Sequence, residues 1–471
     1  MRWLLMTDVN LIERIKTVTM QECDAPEIFH TAMAYHTISS TLGLFFKART
    51  LKFKRPNVWF VLSCIPGGGR RTSIQDLHDT IVDSSFYNFY RQHNTELTKE
   101  EAGELVMLSK IESGTEAGIC DAIMDGIDKG VISFMICNSE FGHVLKRMSN
   151  EKDPTAGLDA LLCKLYYGER YKQTLSKFGK GKGVSNVRFI PKGLYVTMFS
   201  GMQEPNQYLR KSLSESGLMR RIKFAYVKHT DFNMEDWKSP FRDSIDVTIV
   251  DVNRQLKEIA LREIVPRMKK YFKLVDTLHE NVNFKDEGMY LNIHFTKEAI
   301  DKVTEISKFW DTKIIEEKTD YNIYMLSHAE HISTIAILNA IAKDKWKGGG
   351  KDEHITGCMF VELSDVEEAI KVTLEMDKHA FEMLENIRMT EKMVDVSDLE
   401  SRVETKIQSS GSDGILHSDL RHAFPGVLAD EMNEILLNLK EKIKIDTITF
   451  TTQGNGRPGM RHIHTMYNDI T

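Results

Sequence analysis

The sequence lacks any long hydrophobic run. None of its apolar stretches reaches the roughly 18 residues that a membrane-spanning helix needs. At the N-terminus, Trp3–Met6 is too short to be the hydrophobic core of a secretory signal. We therefore expect a cytoplasmic protein without a membrane anchor.

Cysteine is scarce and does not occur in pairs. The chain has 6 cysteines and no Cys-x-x-Cys motif, and several cysteines lie within apolar runs. We expect buried, reduced thiols, because structural disulfides are rare in reducing compartments. A zinc site has no support, since His462 and His464 have no cysteine near them in sequence.

An excess of positive charge is also missing. The chain of 471 residues has 62 Lys and Arg against 68 Asp and Glu, which gives a formal net charge of −6. This excludes a uniformly basic nucleic-acid-binding protein, so any contact with nucleic acid must come from a local patch. With 41% hydrophobic and 28% charged residues, the composition is that of a folded protein, and the length predicts about three domains.

Four short apolar runs predict buried strands, and helical segments separate them. The alternation of strands and helices indicates an α/β fold with a mostly parallel sheet. The predicted strands are Val58–Ser63, Val131–Cys137, Gly193–Gly201 and Ile222–Val227.

Changes in pattern along the chain predict four parts. A helical segment covers residues 1–50, in which Ala25–Glu27 has the pattern of a helix cap and the apolar run that follows, to Leu44, predicts a buried helix. The α/β core follows at 51–245. Residues 246–395 form a helical domain whose buried helix is Ser327–Lys343 and whose next helix opens at Ser364. At 396–471, helices at about 397–408, 416–423 and 428–441 and then two strands have the pattern of a winged helix.

A glycine-rich stretch follows the first strand and precedes a helix, as in a phosphate-binding P-loop. Its backbone N–H groups are suited to hold phosphates, but the motif is altered. In one alignment Arg70 replaces the usual lysine and Arg71 the usual hydroxyl residue; shifted by one residue, Arg71 is the cation and Thr72 the hydroxyl. The alternative is a glycine-rich turn with basic residues. The predicted cofactor-binding residues are Pro66, Gly67, Gly68, Gly69, Arg70, Arg71 and Thr72.

Polar residues at the ends of the later strands complete a candidate ATPase site. Glu140 is placed to orient the attacking water, and Ser139 stands where an aspartate usually binds Mg²⁺. Gln203 (or Ser200) follows the third strand and is placed to sense the terminal phosphate. The predicted catalytic residues are Glu140, Gln203 and Arg221, and the predicted Mg²⁺ ligands are Thr72 and Ser139.

In their order along the chain, these motifs resemble those of ring-forming AAA+ ATPases of plasmids, phages and integrated elements. Those proteins are replicative helicases related to the minichromosome-maintenance type. The resemblance extends from Ala25 to Thr465. It rests on Pro56–Thr72, Ser113–Gly118, Ser139–Gly142, Ser200–Pro205, Gly217–Arg221 and the helices at Ser327–Ala342 and Ser364–Ala380.

The resemblance implies an AAA+ P-loop core, a helical lid and a C-terminal winged helix. It implies that ATP and Mg²⁺ bind between the subunits of a homo-oligomeric, hexameric ring and that DNA lies in the pore. Arg221, in preference to Arg220, would then be the arginine finger that reaches the neighbour's nucleotide. The implied function is that of a helicase-like, ATP-dependent DNA-handling protein in mobile-element replication, with a primase as a possible partner.

Three departures from the family pattern leave the enzymatic activity open. Arg70 and Ser139 replace the expected lysine and aspartate, and the helix Ser327–Ala342 has no arginine. The alternative is therefore a catalytically weakened DNA-binding scaffold subunit. A third possibility is a regulator that acts through the winged helix.

The basic stretch Lys172–Lys192, which is interleaved with glycine and aromatic residues, is the best candidate for DNA binding; the alternative is a solvated loop. In related rings a hairpin at this place in the chain grips phosphates. The winged helix is as suited to protein docking as to DNA binding, because its third helix is acidic and only its wing is basic. The predicted DNA-binding residues are Lys177, Lys180, Lys182, Arg188, Lys192, Arg457 and Arg461.

Overall fold

The computed structural model divides the chain into two units, Met1–Glu385 and Asn386–Thr471. It confirms the predicted α/β class. The four predicted parts stay a prediction. The residues that the structure describes are 10–48, 55–64, 70–93, 108–129, 131, 133–148, 158–174, 187–203, 217–227, 252–281, 290–316, 324–347, 357–424, 429–442, 444–450 and 459–465.

A five-stranded parallel sheet lies in the first unit. Its strand order is β3-β4-β7-β2-β8. The four predicted strands are confirmed, and β3 is an addition that the sequence analysis missed. The strands are β2 (Trp59–Ser63), β3 (Leu108–Ile111), β4 (Ser133–Ile136), β7 (Val196–Met202) and β8 (Lys223–Tyr226).

Four of the five strands are buried along their whole length, including the edge strand β8. All residues of β2, β4, β7 and β8 are buried, which is why their sequences read as continuous apolar runs. The helices that follow β2, β3 and β4 along the chain are α3 (Arg71–His93), α4 (Glu116–Asp128) and α5 (Phe141–Met148). Because all five strands are parallel, their carboxyl ends meet at one edge of the sheet.

The N-terminal helices belong to the main hydrophobic core. They are α1 (Leu11–Glu22) and α2 (Glu27–Thr41), and α2 is buried from Ile28 to Thr41. Pro26 directly precedes α2, as predicted. The helix ends earlier than the apolar run does, because the chain turns through Gly43–Phe45 into β1 (Phe46–Ala48).

A second sheet corrects the expectation of a purely helical region between 246 and 395. Its strand order is β1-β9-β11-β10, formed by β1, β9 (Leu291–Phe295), β10 (Trp346–Lys347) and β11 (Cys358–Val361). These strands are at most five residues long, and the polar residues Asn292 and His294 interrupt the apolar sequence of β9. Such short segments are hard to separate from helix by periodicity alone.

The helices in the same part of the chain include the predicted buried one. It is α10 (His328–Ala342), and before it come α7 (Val252–Ile259), α8 (Val265–Asn281) and α9 (Lys297–Glu316). A further helix, α6 (Leu158–Tyr166), lies earlier in the chain, between β4 and the strand that begins at Tyr171. The last helix, α11 (Leu363–Gln408), begins one residue before Ser364 and includes the segment 397–408 that was predicted as a separate helix. At its start Asp365 accepts the N–H of Glu362 at 3.0 Å.

A pair of antiparallel strands separate from both sheets lies between β4 and β7 in the chain. It consists of β5 (Tyr171–Thr174) and β6 (Val187–Ile190). The pair occupies the position at which the resemblance implied a hairpin.

In the second unit, the last two predicted helices and the two predicted strands follow one another in the predicted order, and a short strand before those helices is an addition that was not predicted. Its helices are α12 (His417–Ala423) and α13 (Ala429–Glu441), and its sheet has the order β12-β14-β13, with β12 (Ile415–Leu416), β13 (Ile445–Phe450) and β14 (Gly459–His464). A small apolar core, which includes Val403, Leu420 and Leu439, holds it together. None of the described helices in either unit is long and apolar enough to cross a membrane.

Candidate phosphate site and basic hairpin

Hydrogen bonds join the carboxyl ends of β2, β4 and β7 into one edge. The Ser63 hydroxyl donates to the Gln203 carbonyl at 3.1 Å. The Asn138 N–H donates to Ser200 Oγ at 3.1 Å, and the Gly201 N–H donates to the Asn138 carbonyl at 2.9 Å. The segments after these three strands are therefore close together, as parallel strands require.

Glu140 lies at this edge on a firmly held backbone. Its N–H donates to Asn138 Oδ1 at 2.8 Å, and Asn138 Nδ2 donates to the Glu112 carbonyl at 2.8 Å. The Glu140 side chain is 45% exposed. Sequence reasoning missed Asn138 as the residue that positions Glu140; its place directly after the strand was the available signal.

Arg71 is the cation that reaches Glu140. It is the first residue of α3, and its Nη2 lies 3.4 Å from Glu140 Oε1. The side chain is 12% exposed and crosses the end of β7 at Gly201, where a Cβ atom would come within 2.8 Å of the Arg71 Cδ and Nε atoms. Only glycine at position 201 leaves room for this path.

Arg70 points elsewhere. It has a positive φ of 49°, and its Nε donates to Asp24 Oδ1 at 2.9 Å. Asp24 is only 10% exposed, so this pair joins the start of α3 to the N-terminal helices. Of the two sequence alignments, the geometry therefore favours the shifted one, with Arg71 as the site cation and Thr72 as the following hydroxyl.

The electrostatics of the edge favour an anion. The first turn of α3 contains no acidic residue of its own, so the carboxylates near the positive end of the helix dipole are those of Asp24 and Glu140, which come from other elements. Burial raises the pKa of the Cys64 thiol to about 11, and Arg71 opposes this rise, so Cys64 is a neutral thiol beside the site. Pro66 and Gly67–Gly69 lie outside the described residues.

The side chains at this edge are a poor Mg²⁺ site by themselves. Thr72 and Ser139 are exposed hydroxyls, and Glu140 is the carboxylate at hand. Within the described ranges, no group of three or more His, Cys, Asp or Glu side chains is arranged to hold a metal ion. Because Mg²⁺ binds through one or two carboxylates plus substrate phosphates, the ion fits here only as a complex with a nucleotide.

The predicted arginine finger is packed within its own chain. Arg221 Nη1 donates to the Gly217 carbonyl, and the guanidinium lies 4.8 Å from the centre of the Tyr167 ring. The Tyr167 hydroxyl donates to Glu330 Oε2 on α10 at 3.4 Å. The neighbouring Arg220 carbonyl lies 2.7 Å from His331 Nε2.

The base of the hairpin is anchored to α4. Arg188 binds Asp121 through both Nε and Nη2, at 2.5 and 2.8 Å. The Tyr171 hydroxyl donates to Glu116 Oε1 at 2.5 Å. Among the predicted DNA-binding residues, Arg188 is thus already compensated by an acid.

The other predicted DNA-binding residues differ in exposure, and four of them lie outside the described residues. Lys192 is exposed, and beside the hairpin Phe189 is 45% exposed with the Arg170 guanidinium 5.4 Å from its ring centre. Arg461 on β14 is partly buried. Lys177, Lys180, Lys182 and Arg457 lie outside the described residues.

Sequence reasoning missed a buried charged cluster at the start of β8. Lys223 Nζ is paired with Asp377 Oδ1 on α11, and His328 Nδ1 lies 2.5 Å from Asp377 Oδ2. Burial alone raises the pKa of the Asp377 carboxyl, but Lys223 and His328 outweigh it and lower that pKa below its usual value. No regular spacing in the sequence links these three positions.

Neither comparison with known proteins adds to this description. No protein-family model matches the chain, and a search of curated proteins finds no significant match.

Proposed function

We propose that this protein is an ATP-dependent DNA-handling protein with an AAA+ core, acting as a helicase-like ring in mobile-element replication. The observation that supports this most is the meeting of Arg71 and Glu140 at the carboxyl edge of the parallel sheet. The two residues are distant in sequence, and each follows its own strand in the order that the P-loop motifs require.

The sheet topology supports a ligand site at this edge. The chain passes from β2 to the far strand β3, returns through β4 and β7 to the side of β2, and then crosses to β8 on the other side. Ligands of open α/β sheets bind beyond the carboxyl ends of the strands, where the direction of winding changes. The glycine-rich stretch follows β2, which lies at this change of direction.

In this proposal each residue has a separate task. The N–H groups at the start of α3 and the Arg71 guanidinium bind phosphate, because both present donors to an anion. Asn138 keeps Glu140 where it can orient a water molecule. When bound together with ATP, Mg²⁺ would neutralise phosphate charge, with Thr72 and Ser139 as the hydroxyls that can approach it.

The hairpin supports the nucleic-acid part of the proposal. Its two strands are anchored to α4, and the chain between them contains Lys177, Lys180 and Lys182 without an acidic residue. Exposed aromatic and basic side chains near its base, such as Phe189 and Arg170, suit stacking and phosphate contact with a single strand. The winged-helix pattern of the second unit offers a further binding module.

One observation favours the second candidate, a nucleotide-binding DNA scaffold with weak hydrolysis. The carboxylate that would orient water is paired with Arg71, and Ser139 offers no charge to a metal ion. Both features would slow ATP hydrolysis, but neither removes the groups that bind phosphate.

Thermal unfolding with and without ATP, together with steady-state ATPase assays with and without single-stranded DNA, separates the candidates. If the protein is an ATPase, ATP should raise its melting temperature, and it should release phosphate at a rate that single-stranded DNA increases. A scaffold shows the rise in melting temperature without phosphate release. Absence of any shift at millimolar ATP contradicts both.

A further inference from the structure

Arg71 uses few of its hydrogen-bond donors. A guanidinium has five N–H groups. Within the described part of the chain, Arg71 forms an ion pair from Nη2 to Glu140, and its Nε is buried with no hydrogen-bond partner. A buried donor without an acceptor is unfavourable, so an oxygen atom that reached Nε would stabilise the site.

The position of the guanidinium is nevertheless fixed. The side chain passes over Gly201, and the Ser139 carbonyl oxygen lies 3.2 Å from where a Cβ atom of residue 201 would be. The packing leaves Arg71 little freedom at the end of β7. Its unpaired donor is therefore a property of the folded site and does not reflect a free surface side chain.

The partner of Arg71 is held less tightly. The distance of 3.4 Å between Nη2 and Oε1 is longer than the 2.7–2.9 Å that is typical of charge-assisted hydrogen bonds. Glu140 is 45% exposed, so its carboxylate can move into solvent while its backbone stays bound to Asn138. The pair is thus fixed on the arginine side and mobile on the carboxylate side.

We infer that the Arg71–Glu140 pair is a self-inhibiting contact, which the phosphate of an incoming nucleotide opens by taking Arg71 and releasing Glu140. This inference rests on the proposed nucleotide site and concerns its regulation. In the free protein the two charges neutralise each other, and one oxygen of the carboxylate is paired with Arg71 instead of orienting the attacking water.

A phosphate group competes well for Arg71. It carries more than one negative charge near neutral pH, and the planar guanidinium can bind two of its oxygens at once. A phosphate oxygen at Nε would also satisfy the donor that Glu140 leaves unpaired. Glu140 must be displaced for this, so its carboxylate lowers the affinity for phosphate through Arg71.

A double-mutant cycle on nucleotide affinity tests the inference. The affinity for a non-hydrolysable ATP analogue is measured at fixed Mg²⁺ for the wild type, Arg71→Ala, Glu140→Gln and the double variant. We expect Arg71→Ala to weaken binding by about tenfold or more, because charge-assisted hydrogen bonds are lost. Glu140→Gln should strengthen binding by about two- to fivefold, and this gain should vanish in the double variant.

Glu112→Gln is the matched control. This exposed carboxylate follows β3 at the same edge, but only its backbone carbonyl contacts Asn138. Its removal should leave the affinity unchanged. If Arg71→Ala does not fold, Arg71→Lys provides the second variant, since it keeps the charge and loses the planar fork.

The outcomes distinguish this inference from the proposed function. A wild type that binds no analogue at millimolar concentration overturns the nucleotide site itself. Binding that Glu140→Gln leaves unchanged or weakens overturns the inference alone. An equal gain from Glu140→Gln with and without Arg71 also overturns it, because the carboxylate would then act on the phosphate directly.

Discussion

Two groups of charges in the first unit differ in how completely they are used. Lys223, Asp377 and His328 are each at most 5% exposed, and both Asp377 oxygens have a partner. Arg71 and Glu140 are 12% and 45% exposed, share one long contact, and leave the Arg71 Nε unpaired. Both groups join elements that are distant in sequence. We call the first group closed, because its charged side chains are buried and paired with one another.

The difference separates a structural role from a binding role. Removing charges from water is unfavourable, so a buried ionic group persists only when its partners satisfy it. The β8 cluster meets this condition and connects the sheet to α10 and α11. The pair at the sheet edge does not meet it, which leaves capacity for a ligand. Substitutions in the β8 cluster should therefore affect stability, and substitutions at the sheet edge should affect binding.

The largest expected effect follows from removing the carboxylate of the β8 cluster. Asp377→Ala leaves Lys223 buried without its counter-ion and should reduce the free energy of unfolding by about 3–5 kcal/mol. Denaturant titration followed by circular dichroism measures it. Asp377→Asn is the control, because it keeps the shape and a hydrogen bond to His328. A loss below 1 kcal/mol for Asp377→Ala would contradict the assignment of this cluster to stability.

The next largest effect concerns DNA affinity and the hairpin. Replacing Lys177, Lys180 and Lys182 by Ala together should weaken binding of single-stranded DNA by about 100-fold at ~0.1 M salt. The logarithmic salt slope should fall by about 0.7 for each lost contact. Titrations at several salt concentrations measure both quantities. An unchanged slope would move the DNA site elsewhere, most directly to the basic wing with Arg457 and Arg461.

Residue patterns predicted the central sheet well. Strands β2, β4, β7 and β8 are buried on both faces, so their apolar runs are unambiguous. Strand β9 has a mixed pattern because Asn292 is exposed between Leu291 and Ile293, both of which are buried, and such a short alternation was not recognised. In the second unit, the last two helices and the two strands after them follow in the predicted order, whereas β12 was not predicted, because a strand of two residues has no recognisable periodicity.

The candidate site was predictable in its residue types and only partly in its geometry. Glu140 and Gln203 were proposed as site residues from their positions after strands, whereas the space that Gly201 leaves for Arg71 was not predicted. The positive φ of Arg70 and its contact with Asp24 turn Arg70 away and leave Arg71 to face the site. Asp24 is far away in sequence, so no local pattern contains that information. The same holds for Asp377, because its partners come from two other elements.

A smaller effect should follow from the Arg221 contact. If Arg221 acts within its own chain, Arg221→Ala should reduce the free energy of unfolding by about 0.5–1 kcal/mol through the lost contact with Tyr167. If it is an arginine finger, the variant should also lose ATPase activity while nucleotide affinity stays nearly intact.

Mixing Arg221→Ala with Glu140→Gln tests the second possibility. In rings that contain both variants, some interfaces combine an intact Glu140 from one subunit with an intact Arg221 from its neighbour. ATPase activity should therefore be partly restored. A protein that stays monomeric with ATP and DNA present, or no restoration on mixing, contradicts the ring and leaves Arg221 with its role inside the chain.

The smallest effect is expected at the base of the hairpin, where Arg188 resembles the closed cluster in its pairing but not in its burial. Asp121 is 58% exposed, so a double-mutant cycle of Arg188→Ala and Asp121→Ala should give a coupling of only about 0.2–1 kcal/mol in stability. Because Arg188 Nε and Nη2 already bind Asp121, Arg188→Ala should leave the salt slope of DNA binding unchanged, in contrast to the lysine variant. A slope reduced by nearly one would show that DNA displaces Asp121 from Arg188, and pairing would then no longer separate structural from binding cations in this protein.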